Sequence, residues 1–445
     1  MSSHRILIVH VGNMSNKGTQ ALLKSDVAIL KENFGVDASI SVLTTDVDGV
    51  RKMNLLLEGI FPPVVDIPYE TADFFARRFG FGRRSFTYKL IALFSLLSTF
   101  VQMALSAFSA VLVKAGFHGF YRSEILTTMK NCDLVVSCSD ENFKEAASYL
   151  PLNMYWILTW WSMLFSRTWD ILVAKYYSKP VVMFPNSVGP FRTFVGRMMS
   201  RFALNGCNII LIRDSISYRI VESLGIETPK VLTFDTTWTF KSANSSNVKV
   251  NCRPCIGVSL GFYAQVFSDE EIRKQVVAYA EAFDEVIQRF GCHIILMPHY
   301  ISGLRYDDLE ISKMVMEKMK SKDNVELVEV ETVDKFKSFL GEMDLVISAK
   351  MHPAVLALSE GVPTLCIAYD HKQTGLFNSL DMSECILPIY EFSREKLLAK
   401  INYVWNNSEA IKAGLTLRVP MIQRSVEEAT RRALFFGQTY PFGGL

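Results

Sequence analysis

An excess of charge of either sign is missing from this chain. Its 445 residues carry 47 Lys and Arg against 45 Asp and Glu, a formal net charge of +2. The broad basic footprint of a nucleic-acid binder is therefore absent. A metal or redox framework is lacking too. Cys252 and Cys255 form a single CxxC without a second pair or a nearby histidine cluster, which suits two thiols at the start of a strand. The other cysteines are scattered, with Cys138, Cys292 and Cys366 inside apolar runs, as reduced and packed thiols are. There is no GxGxxG: the loop after the first strand is GNMSNKG, so a dinucleotide site is unsupported. The opening MSSHRILIVHVG has no signal-peptide layout and runs straight into a strand, which predicts a cytosolic chain.

What is present is apolar content of 49%, enough for large cores and too much for disorder. The length suits two or three domains of roughly 150 residues each. Short, continuously apolar runs alternate with helical patterns, which predicts doubly wound parallel sheets. Strands are expected at Ile6–Val11, Ala38–Leu43, Val64–Ile67, Asp133–Ser137, Val181–Phe184, Asn208–Ile212 and Val231–Phe234. SANSSNVKVNCR at 242–253 is the polar, small-residue stretch expected of a linker. Beyond it, strands are expected at Ile256–Leu260, His293–Met297, Val325–Val330, Leu345–Ile347 and Thr364–Ala368. Ser268 and Glu271 announce a capping box, and Gly291 a helix stop. The organisation read from these signals is an N-terminal domain over 1–241 and a C-terminal domain over 254–408. A helix over 409–445 then packs back across the junction.

The most informative stretch is DLVISAKMHPAVLALSEGVPTLCIAY at 344–369: strand, polar loop, buried helix, strand. Pro353 is tolerated at a helix start, Gly361 suits the left-handed position after its end, and Pro363 bars further helix. Lys350 and His352 therefore stand where a strand's C-terminal end meets a helix N-terminus, a place that attracts phosphate or carboxylate. His299 ends another strand, and Lys372 follows Tyr369 near the same rim. Arg213 stands at a strand-to-helix junction, where a pair with Asp214 or Glu222 would equally explain it. Asn13, Asn16 and Lys17 suit either a ligand-facing loop or ordinary turn chemistry.

Leu90 to Val113 carries no charge and is long enough to span a bilayer. Arg77, Arg78, Arg83, Arg84 and Lys89 precede it. Two arguments oppose a span. Ser95, Ser98, Thr99, Gln102, Ser106 and Ser109 draw one weakly polar stripe down the helix. A crossing would also separate strands of one sheet. The expectation is a helical insertion over about 70–125 that packs on the domain or lies in a membrane surface rich in anionic lipid. Leu150 to Phe165 is aromatic-rich and short for a span, and reads as a core helix rather than a base-stacking platform.

Taken together, NKGTQALL at 16–23, SVGPF at 187–191, IRDSIS at 212–217, Asp235, MPH at 297–299 and the 344–372 stretch resemble the polysaccharide pyruvyl transferase family. The resemblance implies two Rossmann-like domains facing across a cleft, as in GT-B glycosyltransferases. It also implies transfer of a pyruvyl group from phosphoenolpyruvate to sugar hydroxyls of a cell-surface glycan or lipid-linked precursor, with no metal or cofactor. His352 would be the general acid, with Lys350, Arg213, His299 and Lys372 binding the donor and Asn13, Asn16 and Lys17 on the acceptor side. The enzyme would be cytoplasmic and at most peripheral on the inner membrane face, without a nucleic-acid partner. The family usually has Arg where Lys350 stands, and is often glycine-rich where this chain reads CSDENF. Two other readings fit the scaffold: a GT-B-like glycosyltransferase with a nucleotide-sugar donor, and a non-catalytic glycan-binding or membrane-associated relative.

Overall fold

The computed structural model describes residues 4–66, 86–145, 154–242, 253–261, 267–303 and 305–439. The chain forms two compact units. One comprises Met1–Met14, Leu22–Thr236 and Glu427–Leu445; the other comprises Ser15–Ala21 and Thr237–Val426. The change of unit thus falls between 236 and 237, and 15–21 and 409–426 group with the second unit. The linker expected at 242–253 lies, apart from Ser242 and Arg253, outside the described residues.

In the first unit the strands are β1 Arg5–Val11, β2 Ser39–Thr44, β3 Gly59–Phe61, β4 Leu134–Ser137, β5 Asp140–Phe143, β6 Val181–Val188, β7 Ile209–Ile212 and β8 Lys230–Leu232. They build an eight-stranded sheet in the order β3-β2-β1-β4-β6-β7-β8, with β5 alongside β6. Every described pairing is parallel. The strand expected at Val64–Ile67 is instead β3, a few residues earlier. Val64 and Val65 are buried without joining the sheet, so their apolar character serves packing alone. The polar CSDENF run conceals β5. Asn142 donates from its amide nitrogen to the Cys138 carbonyl at 2.7 Å, and its backbone N–H donates to the Asn186 side chain at 3.0 Å.

In the second unit β9 Cys255–Ser259, β10 His293–Leu296, β11 Val325–Leu327, β12 Leu345–Ser348, β13 Thr364–Ala368 and β14 Ile386–Pro388 form a six-stranded sheet. The order is β11-β10-β9-β12-β13-β14, again parallel throughout. Successive strands move outward from β9 in one direction and from β12 in the other, so the chain reverses its winding between β9 and β12. That is where open α/β sheets leave a crevice at the strands' C-terminal ends. The helix Asp269–Phe290 starts on the Ser268–Glu271 capping box and ends on Gly291 with φ 63°. It buries Ile272, Val276, Phe283 and Ile287.

Candidate active site

The switch point of the second sheet is built by three strand ends. β12 leads through Ala349 to Lys350, the N-cap of the helix Met351–Ser359. This helix begins two residues before Pro353, so His352 lies in its first turn. Proline is tolerated there because the first N–H groups of a helix have no partner within it. Gly361, with φ 77°, closes the helix one residue past its cap, as expected. Ala349 N–H donates to the Ser259 carbonyl at 2.9 Å, tying this loop to the end of β9. The loop after β9 passes close by at Gly261. A Cβ there would lie 2.5 Å from Lys350 Cε, so a larger residue would displace the lysine from this position.

Lys350 Nζ is 2.7 Å from Asp308 Oδ1 and 5.0 Å from the centre of the Tyr300 ring. Asp308 is itself fixed, because its other oxygen accepts the Tyr300 N–H at 2.9 Å. Burial raises the Asp308 carboxyl above its ordinary value, against the pull of Lys350. The second cation arrives from the start of the chain. Lys17 opens the helix Lys17–Phe34 and donates to the carbonyls of Pro298 and His299 at 3.2 and 3.3 Å. Its neighbour Asn16 forms an isolated antiparallel bridge with Tyr300. Burial lowers the Lys17 ammonium to about 8, with Asp308 opposing and Lys350 adding to the shift.

Two imidazoles complete the cluster. The rings of His299 and His352 are stacked with centres 6.4 Å apart, and Phe336 covers His299 at 5.6 Å. His299 is buried, and neither ring nitrogen has a hydrogen-bond partner among the described residues. Burial first, then the charges of Lys350, His352 and Lys17, holds it well below the ordinary histidine value. His299 is therefore a neutral imidazole near neutral pH, its two ring nitrogens unpartnered among the described residues. His352 is 8% exposed and packs against the backbone of Gly18, where a Cβ would fall 2.2 Å from its Nδ1. Glycine at 18 is thus a condition for this ring position.

The structure brings together Lys17, His299, Lys350 and His352, with Asn16 beside them through Tyr300. Lys372 lies one strand further along, buried in the helix His371–Ser379, with Nζ 5.8 Å from the Tyr369 ring centre. Asn13 is half-buried and belongs to the first unit. Asp308, Gly18, Gly261 and Tyr300 were not singled out from the sequence. Asp308 carried one available signal, an acidic residue closely following a strand-end MPH.

Arg213 requires a correction. It is 1% exposed in the first unit, where its guanidinium pairs with buried Asp235 and donates from Nε to Ser187 Oγ at 2.9 Å. Asp214, the alternative partner considered, instead caps the helix Ser215–Ser223 and accepts from Ser187 and Ser217. A buried guanidinium must be neutralised where it sits, and Asp235 does so. The pair ties β7 to the chain after β8, while Arg213 Nη2 has no hydrogen-bond partner among the described residues.

Two parallel-sheet Rossmann-like domains define this protein as an α/β protein of GT-B-like fold. Solved structures bear out that class: the UDP-GlcNAc 2-epimerase from Neisseria meningitidis bound to UDP-GlcNAc superposes with a TM-score of 0.56 at 10% identity, covering 97% of this chain and 99% of that one. The UDP-GlcNAc 2-epimerase from Methanocaldococcus jannaschii gives 0.56 at 12% identity over the same shares. At such identities the likeness is one of fold alone. The chain belongs to the polysaccharide pyruvyl transferase family, whose model matches residues 16–371. It is also 24% identical over 315 residues to the amylovoran biosynthesis protein AmsJ of Erwinia amylovora, covering 66% of this chain and 70% of that one.

Proposed function

We propose that this protein transfers a pyruvyl group from phosphoenolpyruvate to hydroxyls of a glycan, or of its lipid-linked precursor, in exopolysaccharide assembly. The observation that carries this is the convergence of Lys17, Lys350, His299 and His352 at one switch point, beside a helix N-terminus whose N-cap residue makes no side-chain cap hydrogen bond. A donor with a phosphate and a carboxylate needs cations and backbone N–H groups of this kind. In the proposed reaction His352 delivers a proton to the methylene carbon of the donor. A sugar hydroxyl oxygen bonds to the adjacent carbon, and phosphate leaves with the electrons of its C–O bond. A second hydroxyl closes the ketal. Of the two protons the hydroxyls release, one restores His352 and the other leaves on phosphate. Lys350 and Lys17 hold the anionic groups, and the neutral His299 orients them. Family membership supports transferase activity toward a polysaccharide.

Incubation of the purified protein with phosphoenolpyruvate and candidate glycans should release inorganic phosphate only when an acceptor is present. Turnover of a nucleotide sugar without phosphoenolpyruvate would replace this reading with glycosyl transfer. Binding of a glycan with neither reaction would favour a non-catalytic role. The pH profile supplies a second check. Lys17 has its folded value depressed to about 8, so its ammonium is present below that pH and is lost as pH rises through it. Donor affinity should therefore fall above about pH 8, seen as a rise in KM for phosphoenolpyruvate. Lys17→Arg should remove that limb, since a guanidinium keeps its charge. An unchanged limb in that variant would take Lys17 out of donor binding.

A further inference from the structure

The helix Phe86–Lys114 buries a mixed face. Ser95, Thr99, Ser106 and Ser109 are buried together with Ala92, Leu96, Ala110 and Val113. Thr99 and Ser162 share a hydrogen bond of 2.5 Å with the helix Met154–Tyr176, and Trp169 Nε1 donates to Ser106 Oγ at 2.8 Å. The opposite face is apolar and open to solvent. Exposed leucine, phenylalanine and valine side chains recur from Leu90 to Val111 at steps of one, three and four, with Phe94, Val101 and Phe108 exposed by 68, 58 and 63%. At 1.5 Å per residue the stripe runs about 30 Å. A soluble surface rarely carries a contiguous apolar stripe of this size without an occupant.

By length and composition Lys89–Lys114 qualifies to cross a bilayer. Crossing is excluded by topology. β1 lies before the helix and β4 after it, and the two pair directly from Ile6–Leu134 to Val9–Ser137. One sheet cannot have neighbouring strands on opposite sides of a membrane.

Cations at one end of the stripe and on a neighbouring helix bear on what covers it. At its C-terminal end Lys114 Nζ lies 4.3 Å from the Tyr176 ring centre, Lys175 is exposed beside it, and Phe117 and Phe120 are exposed just beyond. The helix Phe194–Asn205, which packs on the same Met154–Tyr176 helix, exposes Phe194, Met198 and Phe202 in one line, with exposed Arg197 and Arg201 alongside. Aromatic and aliphatic groups interleaved with lysine and arginine match the boundary between acyl chains and anionic headgroups. We propose that this face docks the protein in the surface of an anionic bilayer, with the stripe lying in the membrane plane. The inference stands independently of which donor the enzyme uses.

Flotation of the full chain with vesicles tests it. The protein should rise with phosphatidylcholine–phosphatidylglycerol vesicles and bind phosphatidylcholine alone at least about tenfold more weakly. The triple variant Phe94→Ser, Val101→Ser, Phe108→Ser should lose flotation while its circular dichroism and phosphate-release activity on a soluble acceptor persist. Arg197→Ser with Arg201→Ser should weaken binding to the anionic vesicles by about tenfold and leave binding to neutral ones unaltered. No flotation by the wild type would overturn the proposal. So would a lipid-free dimer that the triple variant converts to monomer, or resistance of the membrane-bound protein to alkaline carbonate. Because the readout is binding, failure here and failure of pyruvyl transfer are separable.

Discussion

Replacing His352 by alanine should cut acceptor-dependent phosphate release by about 10²- to 10⁴-fold, the usual contribution of a positioned general acid. KM for phosphoenolpyruvate should change far less, because Lys17 and Lys350 remain. The ring is held from one side by the first turn of its own helix and from the other by Gly18. Gly18→Ala should therefore reproduce much of the loss without touching the imidazole's chemistry. The new methyl would fall 2.2 Å from Nδ1 and push the ring aside. Thermal unfolding of both variants shows whether the fold is intact. If His352→Ala keeps more than about a tenth of wild-type turnover, proton delivery belongs to another group. If only Gly18→Ala is impaired, the tight contact serves packing rather than chemistry.

The second large effect concerns stability. Asp235→Ala leaves the Arg213 guanidinium charged and buried with no carboxylate opposite it. Breaking a fully buried ion pair by removing one partner costs about 3–5 kcal/mol. For a unit of this size that lowers Tm by roughly 6–20 °C. The double variant Arg213→Met with Asp235→Leu should recover most of the loss, because no charge is then stranded. Calorimetry on the two variants decides this. Equal destabilisation of both would show that shape at the β7 end matters more than charge. Loss of phosphoenolpyruvate affinity in the double variant, at unchanged stability, would return Arg213 to the list of donor ligands.

The two sites illustrate how differently residues announce themselves. Lys350 and His352 were visible because a buried strand, a proline and a glycine bracket them, and local chemistry alone fixes a strand-to-helix junction. Arg213 occupies an equally good junction, yet its partner is Asp235, 22 residues away. No local pattern separates Arg213, enclosed with its carboxylate, from Lys350, which pairs with Asp308 yet keeps a fifth of its side chain exposed. The outward apolar stripe had a similar ambiguity. The serine and threonine spacing revealed two faces on the helix but not which one the protein would bury.

By itself the sequence determined the alternation of buried strands and helices, the capping box at Ser268, the stop at Gly361 and the motifs of the family, since all of these depend on neighbours within a few residues. The tertiary structure alone decided that Lys17 reaches the carbonyls of Pro298 and His299, 281 and 282 residues on, and that Asp308 faces Lys350. It also decided that β9 and β12 meet where the winding reverses. Which strand ends share an edge depends on strand order, and strand order is settled by how whole layers bury their apolar faces.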